Sequence, residues 1–249
     1  MSKPKARVPK RSSPPAPRSR NRILAALPRA DLERLRSALN VVALEQKHSL
    51  WEPGKPIEAV YFPIDFVASI LAVTNEGLQV EVGTVGNEGL VGLPVFLGAE
   101  SSPGRAFVQV PGQGERLDVR VFLREALREG PLRDILQRYT LSFMNQVSQG
   151  FACNRAHPAT QRLARWLLVV RDRVGRNEFP LTHQFMGQML AVRRATVTET
   201  AGALQKAKLI SYRRGVITIR DDVGLEQVAC ECYWIVREDC ERLLGFPPG

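Results

Sequence analysis

The sequence has no long apolar run, and its uninterrupted apolar stretches are short, such as Trp166–Val170. A helix needs about 20 predominantly apolar residues to cross a bilayer, so no membrane span is predicted. The basic N-terminus also lacks the apolar segment that follows it in a secretory signal. We therefore expect a cytoplasmic protein.

Cysteine is scarce, with four residues in 249 and none before Cys153. That number is too small for a disulfide scaffold in a chain of this length. Cys230 and Cys232 are separated by one residue, whereas zinc-binding cysteines are typically separated by two to four, and no histidine is near them in the sequence. We therefore interpret Cys230, Cys232 and Cys240 as reduced structural or surface thiols and predict neither a metal nor a cofactor.

Catalytic patterns are also missing. The three histidines, His48, His157 and His183, lie in separate segments. The sequence contains no Gly-x-Ser-x-Gly, P-loop or His-Glu-x-x-His motif. We therefore propose no catalytic residues and do not expect an enzyme, for which a pocket with paired titratable groups would be the sign.

Basic residues, by contrast, are abundant and unevenly placed. The net charge is +10. Residues 158–220 contain 12 basic and three acidic residues, and residues 1–22 contain eight basic residues and no acidic one. Residues 221–249 reverse the balance, with two basic and seven acidic residues. A localised basic region is what binding to a polyanion such as nucleic acid requires.

The composition changes along the first half of the chain. Residues 1–20 contain five prolines and almost nothing to bury, which predicts a disordered basic tail. A short helix is predicted at Asp31–Leu39. After it, β-branched and aromatic runs alternate with turn signals, as is typical of an antiparallel barrel or sandwich. The runs are Ala59–Phe62, Ala68–Val73, Gln79–Val85 and Ala106–Val110, and the turn signals include Glu52–Pro56, Asn75–Gly77 and Pro111–Gly114.

Residues 131–156 are predicted to form one long helix. Apolar residues recur every three or four positions along six or seven turns, which places them in one stripe. They are Leu132, Leu136, Tyr139, Phe143, Val147 and Phe151. Such a stripe needs a partner, either the β domain of the same chain or the same helix of a second subunit. We expect a homodimer, because an exposed apolar patch of this size is unusual on a monomer.

Residues 181–220 carry the functional signal. Thr182 is the predicted N-cap of a short helix that ends near Leu190. A second helix runs from Arg194 to about Lys208, and two short strands then form a hairpin with a basic tip at residues 213–215. Two short helices, a tight turn and a hairpin predict a winged helix-turn-helix, whose second helix enters the major groove of DNA.

This segment resembles the DNA-binding domain of the Crp/Fnr family of transcription regulators. The matching residues are Thr182-x-Gln184-x-x-Gly187-Gln188, Arg194-x-Thr196-Val197, Leu204 and Leu209-Ile210-Ser211. By architecture alone the resemblance extends over residues 21–220. It implies a homodimer that binds double-stranded DNA at a pseudo-palindromic site and that contacts or blocks RNA polymerase.

The resemblance also implies an α+β fold with three folded parts. An antiparallel, jelly-roll-like β-roll (a double-stranded β-helix) similar to cyclic-nucleotide-binding domains is expected at residues 21–130. A dimerisation helix follows at 131–156. A winged helix-turn-helix domain with an acidic C-terminal extension completes the chain at 157–249.

Ten residues are candidates for DNA contacts. They are Thr182, Gln184, Arg193, Arg194, Ala195, Thr196, Thr198, Glu199, Arg213 and Arg214. Where the family typically reads bases with Arg-Glu-x-x-x-Arg, this sequence has Arg194, Ala195 and Glu199. The resemblance therefore implies an operator unlike the family's common TGTGA.

The effector pocket departs from the family pattern. The family's ribose-binding Glu aligns with Gly92 or Leu93, and its phosphate-binding Arg aligns with Gly104. Arg105 comes one position late, which in a strand turns the side chain to the opposite face. Glu88 and Arg105 are the remaining candidates for effector binding. The N-terminal cysteine cluster of the family's iron–sulfur sensors is missing as well, so the effector is unknown and the nucleotide pocket is expected to be degenerate.

Two alternatives to this interpretation stay open. One is a cyclic-nucleotide-responsive activator whose pocket uses Glu88 and Arg105 instead of the usual pair. The other is a non-specific nucleic-acid binder that acts through its basic tail. Deletion of residues 1–20 should barely change the sequence preference if the helix-turn-helix determines binding.

Overall fold

The computed structural model describes residues 19–248. The predicted disordered tail, residues 1–20, therefore lies almost entirely outside the described residues. At its end, the Ser19 hydroxyl donates a hydrogen bond to the Glu115 carboxylate.

Two facing antiparallel sheets and short helices form the first part of the fold. The helices are α1 (Arg22–Ala25), α2 (Arg29–Arg36), α3 (Leu93–Phe96) and α4 (Val119–Ala126). The strands are β1 (Asn40–Leu44), β2 (Ser49–Trp51), β3 (Ala59–Pro63), β4 (Val67–Val73), β5 (Gln79–Val85), β6 (Arg105–Val110) and β7 (Gly112–Asp118). One sheet has the order β1-β7-β3 and the other β2-β6-β4-β5. This is the β-roll that the alternation of strands and turns predicts.

The predicted turn at Pro111–Gly114 is wrong, because β7 begins at Gly112. A Cβ atom at Gly112 would lie 2.5 Å from Oδ1 of Asp65, and one at Gly114 would collide with the Phe66 ring. Glycine at these positions therefore permits close packing inside a strand and does not reverse the chain.

The remaining elements form a long helix, a winged domain and a C-terminal helical pair. They are α5 (Pro131–Ala156), α6 (Ala159–Val174), β8 (Glu178–Pro180), α7 (His183–Leu190), α8 (Arg194–Lys206), β9 (Ile210–Arg213), β10 (Val216–Ile219), α9 (Asp222–Val228) and α10 (Cys232–Leu244). The predicted order of helix, turn, helix and hairpin is confirmed. The acidic extension, for which no element was predicted, forms α9 and α10. Among the described residues, no helix combines the length and apolar content needed to cross a membrane.

Helix α5 has three faces: one is buried by the β-roll, one packs against α10 and one is exposed. Leu132, Leu136 and Tyr139 are buried in the core of the β-roll of the same chain. Of the two partners considered for the apolar stripe, the β-roll of the same chain therefore covers these three residues. Helix α10 packs against another face of α5, where the Asn145 amide donates to the Asp239 carboxylate at 2.8 Å.

The third face of α5 is exposed and apolar. The exposed fractions are 47% for Leu141, 60% for Met144 and 79% for Phe151. Together with Ser148, these residues are spaced by three, four and three positions, which is the spacing of a coiled-coil seam.

Candidate nucleic-acid interface

Helix α7 begins at the predicted cap. The Oγ1 atom of Thr182 accepts a hydrogen bond from the Phe185 amide at 3.2 Å. This contact satisfies an amide that the first helical turn leaves free. Thr182 is exposed, and its hydroxyl hydrogen is still available to donate outward because the cap uses only a lone pair.

The turn between the two helices is tight. Ala191 ends α7 in the left-handed conformation, with φ 50°. A Cβ atom at Gly187 would lie 3.2 Å from the Val192 carbonyl oxygen and 3.7 Å from Cγ2 of Val197. The glycine thus allows the turn and α8 to approach α7 closely.

Helix α8 is two-faced. Val197, Ala201 and Leu204 form its buried side, spaced by four and three positions. Thr196 is half-buried. The opposite face, including the N-cap residue, is exposed. Its members are Arg193, Arg194, Ala195, Thr198, Glu199 and Gly202.

Thr198 and Gln184 differ from the other candidate contact residues. The Thr198 hydroxyl donates to the Arg194 carbonyl oxygen at 3.1 Å and lies 3.4 Å from Nδ1 of His183. It is therefore already engaged within the domain. Gln184 lies on α7, but its side chain is outside the described part of the structure.

The hairpin of β9 and β10 places two basic residues at its tip. Arg214 (φ 50°) and Gly215 (φ 78°) form the two-residue turn between Arg213 and Val216. Positive φ at both positions is the geometry that keeps a tight hairpin twisted. The Leu181 amide donates to the Gly215 carbonyl oxygen at 2.7 Å, which holds the tip beside the start of α7. Arg213 and Arg214 are exposed.

Sequence reasoning missed the aromatic contact that joins the wing to the helices. The rings of His183 and Tyr212 are stacked, with centroids 4.6 Å apart and planes 16° apart. The Tyr212 amide also donates to Oε1 of Gln205 on α8 at 3.0 Å. The position of His183 directly after the N-cap was the signal available in the sequence.

The winged domain rests on the outer side of the β-roll. The Phe107 and Phe185 rings meet edge to face with centroids 5.6 Å apart. The Trp166 indole donates to the Glu81 carboxylate at 3.2 Å, and the Ser69 hydroxyl donates to the same group at 2.5 Å. Burial raises the pKa of Glu81 to about 7, despite these two hydrogen bonds.

The two effector candidates pair with different residues, not with a common site. Glu88 is buried and forms an ion pair of 2.7 Å with Arg173 of α6. Arg105 pairs with Glu52 at 3.3 Å and lies over the Phe107 ring, 5.6 Å from its centroid. The alternative that these two residues form one nucleotide site is therefore not supported by their positions.

A cavity of about 390 Å³ lies between the β-roll, α3 and α5. Its walls are largely apolar, with Trp51, Ile70, Leu93 and Phe143 among the lining residues. None of the described residues that line it carries a charge, and neither Glu88 nor Arg105 is among them. The cavity therefore offers no cation to a phosphate.

The fold also brings three cysteines and one histidine together from distant positions in the sequence. Cys153, His157, Cys230 and Cys232 form one cluster, although no histidine is near the cysteine pair along the chain. The available signal was the spacing of Cys153 and His157, four positions apart at the end of a helix, which places both on one face.

Crossed short helices, an exposed second helix and a basic hairpin define a winged helix-turn-helix DNA-binding protein. Residues 161–228 match the family model of the Crp-like helix-turn-helix domain. The chain therefore carries a Crp-like helix-turn-helix domain, and as a whole it is similar to transcription regulators of the Crp/Fnr family.

Relatives cover most of the chain at low identity. The global nitrogen regulator of Synechococcus elongatus is 24% identical over 199 residues, which are 76% of this chain and 89% of the relative. The global nitrogen regulator of Synechocystis sp. is 25% identical over 75% of this chain and 87% of the relative. The structure of FixK2 from Bradyrhizobium japonicum covers 77% of this chain and 98% of its own, with 14% identity and a TM-score of 0.64. A regulator of the family from Eubacterium rectale covers 81% and 94%, with 15% identity and a TM-score of 0.63.

Proposed function

We propose that this regulator acts as a homodimer, places α8 in the major groove of a two-fold symmetric operator and does so without a cyclic nucleotide. The two-faced α8 carries the proposal, because its buried side fixes the helix while its exposed side remains free. A helix of this kind fits a groove about 12 Å wide.

Three exposed residues of α8 are proposed to read bases. Arg194 can donate two hydrogen bonds to O6 and N7 of guanine. Ala195 has no polar atom in its side chain and fits against a thymine methyl group. Glu199 repels phosphate but can accept a hydrogen bond from N4 of cytosine.

The contacts that position the protein are assigned to the DNA backbone. Thr182 has its hydroxyl hydrogen free, and Arg193, Arg213 and Arg214 carry exposed charge. Gln184 and Thr196 complete this set by their positions. Phosphate contacts of this type fix the register on DNA but carry no sequence information. Thr198 is proposed to contribute its methyl group, since its hydroxyl is already engaged.

The dimer contact is proposed on the exposed face of α5. Leu141, Met144 and Phe151 leave a stripe that would pair with its two-fold copy. The two-fold symmetry of such a dimer matches half-sites about one helical turn apart.

The cavity is proposed to accept an uncharged, largely apolar effector, if any ligand regulates the protein. A cyclic nucleotide would leave its phosphate without a charged partner there, and burying an uncompensated charge is costly. The alternative of a cyclic-nucleotide-responsive activator rests on Glu88 and Arg105, which are engaged elsewhere.

A regulator of transcription acts where the chromosome is, so we place it in the cytoplasm and infer a contact with RNA polymerase. Selection of bound sequences from a random DNA pool, without added nucleotide, tests the central proposal. The expected result is a symmetric consensus unlike TGTGA, unchanged when residues 1–20 are deleted. Absence of any consensus, together with loss of DNA binding on that deletion, would favour the alternative of a non-specific tail.

A further inference from the structure

Three thiols and one imidazole meet where the winged domain joins the rest of the molecule. Cys153 lies near the end of α5, His157 directly follows that helix, and Cys230 and Cys232 lie at the start of α10. Their four ligand atoms all lie within 4.8 Å of one another. Residues from two distant parts of the chain therefore present their donor atoms to one point.

The cluster is shielded from solvent. The exposed fractions are 0% for Cys153, 3% for Cys230 and 1% for Cys232. The imidazole of His157 is also largely covered, with 16% of its side chain exposed. A site closed on all sides by protein ligands is characteristic of structural metal centres rather than catalytic ones.

Two of the separations between donor atoms are close to the edges of a tetrahedral site. Bonds of about 2.3 Å to sulfur and 2.05 Å to nitrogen imply edges of about 3.8 Å between two sulfurs and about 3.6 Å between sulfur and nitrogen. The Sγ atoms of Cys153 and Cys230 are 3.5 Å apart, and Sγ of Cys232 is 3.6 Å from Nδ1 of His157. A disulfide could join only two of the thiols, and it would give the imidazole no reason to face them.

The surroundings of the cluster resemble the outer shell of a metal site. Nε2 of His157 lies 3.1 Å from the Glu231 carboxylate, so the ring nitrogen that faces away from the thiols has an acceptor. This contact places the proton on Nε2 and leaves the Nδ1 lone pair pointing at the cluster. The Gln149 amide donates to Sγ of Cys232 at 3.1 Å, which stabilises a thiolate.

We propose that Cys153, His157, Cys230 and Cys232 bind one zinc ion in a Cys₃His site. Three thiolates and an imidazole are a common ligand set of structural zinc, and the thiols release their protons when the ion binds. The ion would tie the C-terminal extension to the junction of α5 and α6, next to the winged domain. This inference does not depend on which DNA sequence or effector the regulator recognises.

Metal analysis of the full-length protein, purified under reducing conditions without chelator, tests the proposal. We expect about one zinc ion per chain. Replacement by cobalt(II) should give thiolate-to-metal charge-transfer absorption and the visible bands of a tetrahedral site. Cys153→Ser and Cys232→Ser should lose the ion. Cys240→Ser is the matched control, because Cys240 is equally buried but contacts the Phe246 carbonyl oxygen outside the cluster.

A variant at the edge of the site separates metal binding from folding. The Glu231 side chain is 68% exposed, so Glu231→Gln should fold normally and weaken zinc affinity about 10–100-fold. Metal-free wild-type protein with four reactive thiols would overturn the proposal. So would a Cys153–Cys230 disulfide in the non-reduced protein, or iron accompanied by acid-labile sulfide.

Discussion

Glu88 and Arg173 form an ion pair of 2.7 Å in which both side chains are at least 95% buried. The pair joins the loop after β5 to α6, and Arg173 also donates to Gln146 of α5 at 2.7 Å. Gly86 makes room for this arrangement, since a Cβ atom there would lie 2.5 Å from the Arg173 side chain. The β-roll, the long helix and the winged domain therefore meet at one arginine.

Removal of the arginine should be strongly destabilising. Arg173→Met leaves Glu88 buried without its cation, which should lower the free energy of unfolding by about 3–5 kcal/mol. Glu88→Leu combined with Arg173→Met should cost less than Arg173→Met alone. Urea denaturation measures both. Arg120→Met, which breaks a surface pair with Asp118, is the control and should cost less than about 1 kcal/mol.

Glu81 should make stability depend on pH. Its pKa is about 7 in the folded protein and near 4.5 when unfolded, so the folded state binds more protons between these values. The resulting stabilisation is complete below pH 4.5 and is lost as the pH rises through 7, by up to about 3 kcal/mol. Comparison of wild type with Glu81→Gln between pH 5 and 8 should show a smaller decline in the variant. Parallel curves would contradict the assignment.

The dimer should depend on the exposed face of α5. Met144→Glu with Phe151→Glu should give folded monomers with weak DNA binding, because two charges would enter the seam. Leu127 is 56% exposed outside that face, so Leu127→Glu should remain dimeric. Sedimentation of wild type as a monomer at micromolar concentration would refute the proposed interface.

The recognition helix and the wing should respond differently to mutation. Arg194→Ala should cost about 1–3 kcal/mol at one base pair and relax specificity there. Arg213→Ala should weaken all sequences alike and reduce the salt dependence by about one counterion. Titrations at several salt concentrations distinguish the two effects. An unchanged consensus for Arg194→Ala would exclude it from base recognition.

Cyclic AMP should not bind in the β-roll. Each missing charge-assisted contact is worth about 1.5–3 kcal/mol, so affinity should fall by orders of magnitude relative to a pocket that retains both. Calorimetry with the nucleotide should show no saturable heat. A dissociation constant in the low micromolar range would show that the alignment of Gly92 and Gly104 is wrong.

The winged domain could be predicted because several short sequence patterns indicate the same order of helices and strands. The cap at Thr182, the spacing of Val197, Ala201 and Leu204, and the basic hairpin each depend on a few consecutive residues. Periodicity of this kind reports which side of an element is buried. It does not report what covers that side, so the stripe of α5 alone could not decide between the β-roll of the same chain, which buries Tyr139, and a second subunit.

The partners of Glu88 and the cysteine cluster could be identified only from the three-dimensional structure. Glu88 looked available in the sequence, yet its partner Arg173 is 85 positions away. Cys153 and Cys230 are 77 positions apart and meet only because α10 runs back along α5. The spacing of residues along the chain does not reveal contacts between distant segments. A glycine within a strand, such as Gly112, also cannot be distinguished in the sequence from a glycine in a turn.

Helix α10 also determines how the winged domain is attached to the rest of the molecule. A guanidinium nitrogen of Arg22 donates to the Pro247 carbonyl oxygen at 2.8 Å, so the two ends of the described chain touch. The winged domain leaves the body at His157 and returns at Cys230, and these two crossing points adjoin. The winged domain is therefore attached to the body by two chain segments and not by one. A circular permutant that joins residue 248 to residue 19 by a short linker should preserve this geometry.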